Sequence, residues 1–422
     1  MGLITFYAQA KGSSHIVSGK PCQDSGIAYE NNGVYLAVVC DGHGGDSYVR
    51  SDVGSSIAVD IAKEKIIHFV ESLPVDFFKN KRSAVSAMPL CDPRESSKGH
   101  RKETSELSES ELDLLKQNVR YIKESQVYPD IEKRFRHLFK DIYESWKTAI
   151  AKDVQDRPFS KKEKEKIGAL RIEKAYGTTL IAVVKTPDYW FAFQLGDGKL
   201  YACDELMRWT EPVPWDCNCF LNMTTSLCDK SPVEEFRYAF DGSGVFPIAF
   251  VLGSDGVDDT FVKQELIHKF YSNLLCVFND TEKDEAINLL EKHLANLSER
   301  GSHDDMSVAA IIDESRLPKA IDYYHVISEV RALNSEKSKR LGDISQLEME
   351  FKQLKRKITE KSFLRDEKAR SVFMLWLKAI QQYREERNGY NEISNDVAVL
   401  KSKLEAVDCN LQKMKKQSLL VA

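Results

Sequence analysis

The sequence predicts an α+β domain, its sheets covered by helices, followed by an all-α module. Three observations predict it. Strand-like runs, helical stretches, more strand-like runs, then helices and a last strand follow one another, rather than the strict strand-helix alternation of a doubly wound sheet. Asp197-Gly198, between two such runs, signals a tight turn and antiparallel pairing. Beyond Pro318 the composition shifts to long helix formers with heptad spacing.

Val34 to Cys40 reads Val-Tyr-Leu-Ala-Val-Val-Cys, a β-branched apolar run of strand length. A helical pattern follows over about 47–73. Residues 79–112 are rich in Ser, Lys, Arg and Glu, contain Pro93 and read as a mobile surface insertion. Helical periodicity returns over about 129–151, with Phe135, Leu138, Ile142 and Trp146 on one face. Strands are expected over 178–185, 189–194 and 199–203, the last two forming a hairpin around Leu195-Gly196-Asp197-Gly198. Another strand, 248–252, ends at Gly253-Ser254-Asp255-Gly256. Helices over about 260–275 and 282–297 precede a final strand at 306–312.

The organisation is therefore a domain over 1–317 and a helical module over 318–422. Two apolar series mark the module: Val326, Val330, Leu333, Ile344, Leu347, Phe351, Leu354, Ile358, then Ile393, Val397, Leu400, Leu404, Val407, Leu411, Met414. The second steps four, three, four, three, which makes a coiled-coil seam. Asn388-Gly389 is a turn signal beside the apolar stretch 363–383. A helical hairpin, a pairing with a second chain, and one long helix packed on the first domain all fit.

Apolar residues make up 42% of the chain, enough for a core, and charged residues 30%, above the usual quarter and suited to long solvated helices. A net charge of −5 argues against nucleic acid as the main partner. Nine dispersed cysteines lack any C-x-x-C pair, and Cys217 and Cys219 have no nearby His, so reduced thiols in a cytoplasmic setting are expected rather than zinc. No secretory signal and no 18-residue apolar run are seen, so no membrane span is expected. Phe6 occupies the place where myristoylation of Gly2 wants Ser or Thr.

Asp41, Asp197, Asp255 and Asp304 each border an expected strand, and three of them lie beside Gly. Carboxylates at strand ends converge when the strands share a sheet. A hard divalent cation wants such oxygen ligands, and a neighbouring Gly lets backbone approach and frees its carbonyl. Two such ions about 4 Å apart can share a water, lower its pKa and direct hydroxide at phosphorus.

In this order the motifs become specific. Val39-Cys40-Asp41-Gly42-His43-Gly44-Gly45, Gly177-Thr178-Thr179, Leu195-Gly196-Asp197-Gly198, Gly253-Ser254-Asp255-Gly256-Val257 and Gly301-Ser302-His303-Asp304-Asp305-Met306-Ser307-Val308 resemble the metal-dependent protein phosphatase 2C family of Ser/Thr phosphatases. Lys20-Pro21-Cys22-Gln23-Asp24-Ser25 resembles the family's opening motif as bacterial members write it. The resemblance spans about residues 8–313. It implies a central antiparallel β-sandwich with helices outside both sheets, two or three Mg²⁺ or Mn²⁺ ions, and hydrolysis of phosphoserine or phosphothreonine by a metal-bridging hydroxide. It further implies that Asp41 bridges the two metals, that the Gly42 carbonyl completes one shell, and that Asp255 and Asp304 hold the other ion. Asp197 resembles the ligand of a weaker third metal, and His43 the general acid for the leaving alcohol.

The departures from the family pattern are chemical. Gln23 replaces a metal-shell Glu and can act only through a water, with Asp24 as a compensating carboxylate. Lys20, a point charge, stands in for an Arg that grips phosphate. Gly198-Lys199 replaces Ser-Arg, and Asp305 replaces an Asn and adds negative charge to the metal region. The expected partner is a phosphoprotein, the product of a Ser/Thr kinase, with self-association or helix pairing through 320–422. A binding scaffold without activity is the competing reading. Retention of Asp41, Asp255, Asp304 and His43 favours catalysis.

Overall fold

A computed structural model of the chain describes residues 2–85, 128–216, 219, 224–261, 263–359, 374–375, 377–399 and 402. Two compact units divide it, Met1–Pro318 and Lys319–Ala422.

The first unit holds two antiparallel sheets. One has the order β1-β11-β10-β7-β8, from Leu3–Ala10, Met306–Asp313, Ala249–Gly253, Lys199–Cys203 and Trp209–Thr210. The other has the order β2-β3-β5-β6-β9-β4, from Ser25–Asn31, Val34–Cys40, Leu180–Lys185, Trp190–Leu195, Arg237–Asp241 and Arg82–Val85. Inward side chains Val39, Ile181, Val183 and Ala192 of the six-stranded sheet meet Leu200, Phe250, Leu252 and Ile311 of the five-stranded one. This dry layer explains the continuous apolar runs: β5 and β6 are buried on both faces, so neither shows polar alternation.

Helices cover both outer faces. Helix α1 (Ser13–Ser18) is short. The next two, α2 (Ser51–Ser72) and α3 (Pro129–Asp156), lie on the six-stranded sheet and bury Ala58, Ile66, Phe135, Phe139 and Trp146 against Val38, Phe191 and Phe193. The Trp146 indole donates to the Gly54 carbonyl at 3.0 Å, so its polar edge is satisfied at zero exposure. A short helix, α4 (Lys161–Ile167), begins with a capping box between Ser160 and Glu163. Arg50 ties it to α2 and α3 through Glu163 (2.9 Å) and Asp153 (3.0 Å). After the single turns α5 (Pro232–Glu235) and α6 (Asp255–Asp258), α7 (Gln264–Asp280) and α8 (Lys283–Arg300) cover the other sheet. Phe278 of α7 stacks on Phe6 of β1 with ring centroids 4.2 Å apart. The architecture is the expected αββα sandwich.

Two local expectations fail. The strands 190–195 and 199–203 do not form a hairpin. β6 pairs with β5 and β9, whereas β7 pairs with β10 and β8 in the opposite sheet. Gly196-Asp197-Gly198 is thus a crossover between layers. An Asp-Gly turn reverses the chain locally, but long-range pairing decides which sheet receives it. The expected mobile insertion also begins too early. Arg82–Val85 is an edge strand paired with β9, and Asn80 N donates to Gly242 O at 2.9 Å. Residues 86–112 lie outside those described.

In the second unit, α9 (Leu317–Thr359) and a helix over 377–399 run side by side and antiparallel. Lys337 lies 5.1 Å over the Tyr390 ring, Arg340 Nη1 meets Glu386 at 2.8 Å, and Tyr383 donates to Glu348 at 3.2 Å. Asn388-Gly389 makes no turn; it sits within the second helix. A Cβ on Gly389 would come 2.5 Å from Arg340 Nη1, so the glycine serves close approach rather than reversal. Most of the second apolar series, from Leu400 to Met414, lies outside the described residues. No helix among the described residues is long and apolar enough to cross a membrane.

Candidate metal centre

Antiparallel register brings the motif residues to one end of the sandwich. Cys40 faces Ser25, Leu195 faces Leu180, and Gly253 faces both Lys199 and Val308. Asp24, Asp41, Asp197, Asp255 and Asp304 each lie within two residues of one of these strand ends or starts. The Asp41 and Asp255 carboxyls, from different sheets, lie close enough to shift one another, and the charges of Asp24 and Asp197 act on Asp41. Asp304 and Asp259 in turn act on Asp255.

The Asp41-Gly42-His43 backbone is fixed by Gly177-Thr178-Thr179. Asp41 N donates to Thr179 Oγ1 (3.0 Å), and its carbonyl accepts from Thr179 N (2.8 Å) and Thr178 Oγ1 (2.9 Å). His43 N donates to Gly177 O at 3.1 Å. A Cβ on Gly42 would meet Gln23 O at 2.5 Å and Ser51 O at 2.7 Å, so only glycine fits between the opening motif and α2. The His43 ring packs edge-on to Tyr48, centroids 4.8 Å apart, and Lys174 lies 5.2 Å over that same Tyr48 ring.

Burial, then the charges of Asp255 and Asp24, pushes Asp41 well above the usual carboxylate range. Burial and then Asp305 do the same to Asp24, and burial chiefly lifts Asp255 to about 6. None of the groups acting most on these three is Lys or Arg. Asp24 Oδ2, Asp197 Oδ1 and Gln23 Oε1 are buried without a hydrogen-bond partner. An all-oxygen donor set of crowded carboxylates, with Arg237 acting on Asp197, fits hard divalent cations.

That crowding has a measurable sign. Asp255 moves from 3.8 to about 6 on folding, so between those values the folded chain holds more protons than the unfolded one. Its contribution to stability therefore falls as pH rises through that window when no metal is bound. The unfolding midpoint in EDTA is expected to drop relative to that in Mn²⁺ between pH 4 and 6, with a smaller drop for Asp255→Asn. A gap independent of pH in both proteins would contradict this.

Other expected residues occupy distinct places. Gln23 turns its amide toward Ser51 Oγ (2.5 Å) and His43 O (3.1 Å) and keeps Oε1 free. Lys20 is exposed and donates to Gly44 O at 3.1 Å, on the rim of the Asp41 loop. Asp305 takes a further, structural part beside the charge expected of it. Its Oδ1 accepts from Gly12 N at 2.6 Å, and its Oδ2 accepts from Gln23 N at 2.6 Å and faces His15 Nδ1 at 2.8 Å. It is a tie holding the opening motif beneath Asp304, although its charge still acts on Asp24. His15, Asp304 and Asp305 come close enough to share an ion, but Asp305 is already engaged on both oxygens. The sequence allows Asp259, like Asp258, to be a helix-capping residue with no catalytic part; the charges of Asp197 and Asp304 act on it, and its position four residues after Asp255, on one helical turn, was the available signal. Sequence reasoning missed Tyr48 and Lys174 beside His43, for which the sequence carries no pattern.

The protein phosphatase 2C family model matches residues 11–297. The chain belongs to that family and is a protein serine/threonine phosphatase dependent on Mg²⁺ or Mn²⁺. Among solved structures it is similar to a bacterial serine phosphatase (13% identity, TM-score 0.41, covering 74% of this chain and 98% of that one). It is also similar to serine/threonine phosphatase Stp1 from Staphylococcus aureus (13%, 0.41, 74% and 95%). The catalytic domain of PstP in complex with two manganese ions is similar at 15% identity and TM-score 0.38, covering 74% and 97%. No curated protein matches the chain.

Proposed function

We propose that the unit over 1–317 hydrolyses phosphoserine and phosphothreonine in the products of a Ser/Thr kinase, using the carboxylate end of the sandwich. The observation that carries this reading is the convergence of Asp41 and Asp255 from two sheets in a cluster where neighbouring carboxylates, not Lys or Arg, act most on both. Asp41, the Gly42 carbonyl, Asp255 and Asp304 would hold two ions, with Gln23 and Asp24 supporting the side nearer the opening motif and Asp197 holding a third. When bound, the ions supply water of lowered pKa as nucleophile and offset charge on the phosphoryl oxygens. Lys20 on the rim offers a point charge to the incoming phosphate.

His43 then supplies the proton that a serine alkoxide needs to leave. Burial, and next Lys174, pulls its imidazole down to about 4, so it is neutral in the resting protein at pH 7. A phosphate dianion brought beside it raises that value and lets the ring carry the proton to the leaving oxygen. The full chain is expected to release phosphate from phosphoserine and phosphothreonine peptides in Mn²⁺ or Mg²⁺ and to stop in EDTA. No release with either ion would overturn the reading.

The unit over 318–422 serves assembly or targeting in this proposal. Its paired helices leave Leu341, Met349, Met374, Leu375 and Val399 exposed, more apolar surface than two helices cover by themselves. The full chain is expected to scatter light as an oligomer or to recover a partner that a chain ending at residue 317 does not. A monomer without any partner would contradict it.

A further inference from the structure

The crossover loop carrying Asp197 is gripped by a buried polar network that the proposed chemistry does not use. Arg237 on β9 is 2% exposed. Its Nη2 donates to Gly196 O at 2.7 Å and its Nη1 to Pro214 O at 2.8 Å. Asp216, also buried, stands 3.7 Å from Nη2 and accepts from Thr225 Oγ1 at 2.7 Å. The same Thr225 oxygen accepts from Gly196 N at 2.9 Å. Gln194 Nε2 donates to the carbonyls of Gly196, at 3.3 Å, and of Gly198. Both backbone polar groups of Gly196 and the carbonyl of Gly198 are therefore held by side chains, and Asp197 lies between them.

Such a grip is costly to bury, since a guanidinium and a carboxylate leave water for a pair separated by 3.7 Å. The rest of the six-stranded sheet presents mostly apolar side chains at this depth. What the network fixes is the direction of Asp197, whose Oδ1 has no partner and whose neighbours include Asp259 and Asp255. A loop passing between two sheets has no ladder to hold its backbone, so side chains take that part.

We infer that Arg237, with Asp216 and Thr225, is the positioning group of the Asp197 loop and sets how tightly the weaker divalent ion binds there, without itself supplying a ligand. This rests on the reading of Asp197 as a metal ligand. The network holds the carboxylate in the orientation the ion needs, as outer partners do for metal ligands generally.

The test is a Mn²⁺ binding isotherm on the full chain, following free Mn²⁺ by its paramagnetic resonance signal. Arg237→Lys keeps the charge but replaces the fork, whose two nitrogens reach separate carbonyls, with a single nitrogen. Thr225→Val removes the hydroxyl at nearly constant volume. Each is expected to weaken the loosest class of Mn²⁺ sites by about tenfold or more while leaving the tight class in place. Unchanged isotherms in both variants would overturn the inference, as would equal weakening of both classes in a folded protein. Should Arg237→Lys fail to fold, Thr225→Val decides. Asp197→Asn separates the two claims. If it retains the loose class, the reading of Asp197 fails and the inference with it. If it abolishes the loose class while Arg237→Lys and Thr225→Val do not, only the positioning role fails.

Discussion

Asp41→Asn is expected to lower kcat/KM by roughly a hundredfold to a thousandfold or more, the range for removing a group that stabilises charge in a transition state. Asp304→Asn is expected to fall in the same range. The amide keeps the shape of the carboxylate and removes its charge, so the loss reports the ions rather than packing. Burial and the neighbouring Asp255 carboxyl, from the other sheet, both disfavour charge on Asp41. The Asp41→Asn chain is therefore expected to unfold at a higher temperature than the parent in EDTA, above pH 6, although it is inactive. Stability and activity move in opposite directions because the crowding exists for the ions. Turnover comparable to that of the parent in either variant would remove the two-ion mechanism. A lower midpoint for Asp41→Asn in EDTA would show that the carboxylate pair is not strained.

His43→Ala is expected to slow phosphoserine hydrolysis by about a hundredfold to ten-thousandfold, the usual reach of a general acid. p-Nitrophenyl phosphate should suffer far less, because its leaving group departs without a proton. The His43 ring packs against Tyr48 and close to Gly177. Equal losses on both substrates would assign His43 to packing or to water orientation.

Much of the fold was legible because its central strands are unusually plain. Val34–Cys40, Leu180–Lys185 and Met306–Asp313 are buried on nearly every residue, and continuous apolar runs of that length leave few alternatives. The strands at the margins were not legible. Ser25–Asn31 is half-buried and Arg82–Val85 is only four residues long, so each draws its conformation from a neighbour rather than from its own composition. The hairpin error has the same origin: Asp197-Gly198 encodes a turn, and nothing local says that β7 belongs to the other sheet. In the site, Asp41, Asp197 and Asp255 announced themselves as strand-end Asp-Gly pairs. Arg237 and Thr225 lie 40 and 28 residues beyond Asp197 in sequence, and only their burial beside Gly196 reveals what they hold. Asn388-Gly389 shows the reverse case, a strong local turn signal overridden by the helix that contains it.

Strand β11 lies between β1 and β10, and its register joins Leu3 to Asp313 and Ala10 to Met306. The five-stranded sheet therefore lacks the strand that joins β1 to β10 until about 300 residues have been synthesised, and the first strand waits unpaired for the last. Closing so long a loop slows folding and leaves an exposed strand edge open to aggregation meanwhile. Because Asp304 arrives with that strand, the carboxylate cluster is completed only at the final step. Under the proposed two-ion mechanism, a nascent chain that still lacks β11 is expected to release no phosphate, however well its first half has folded.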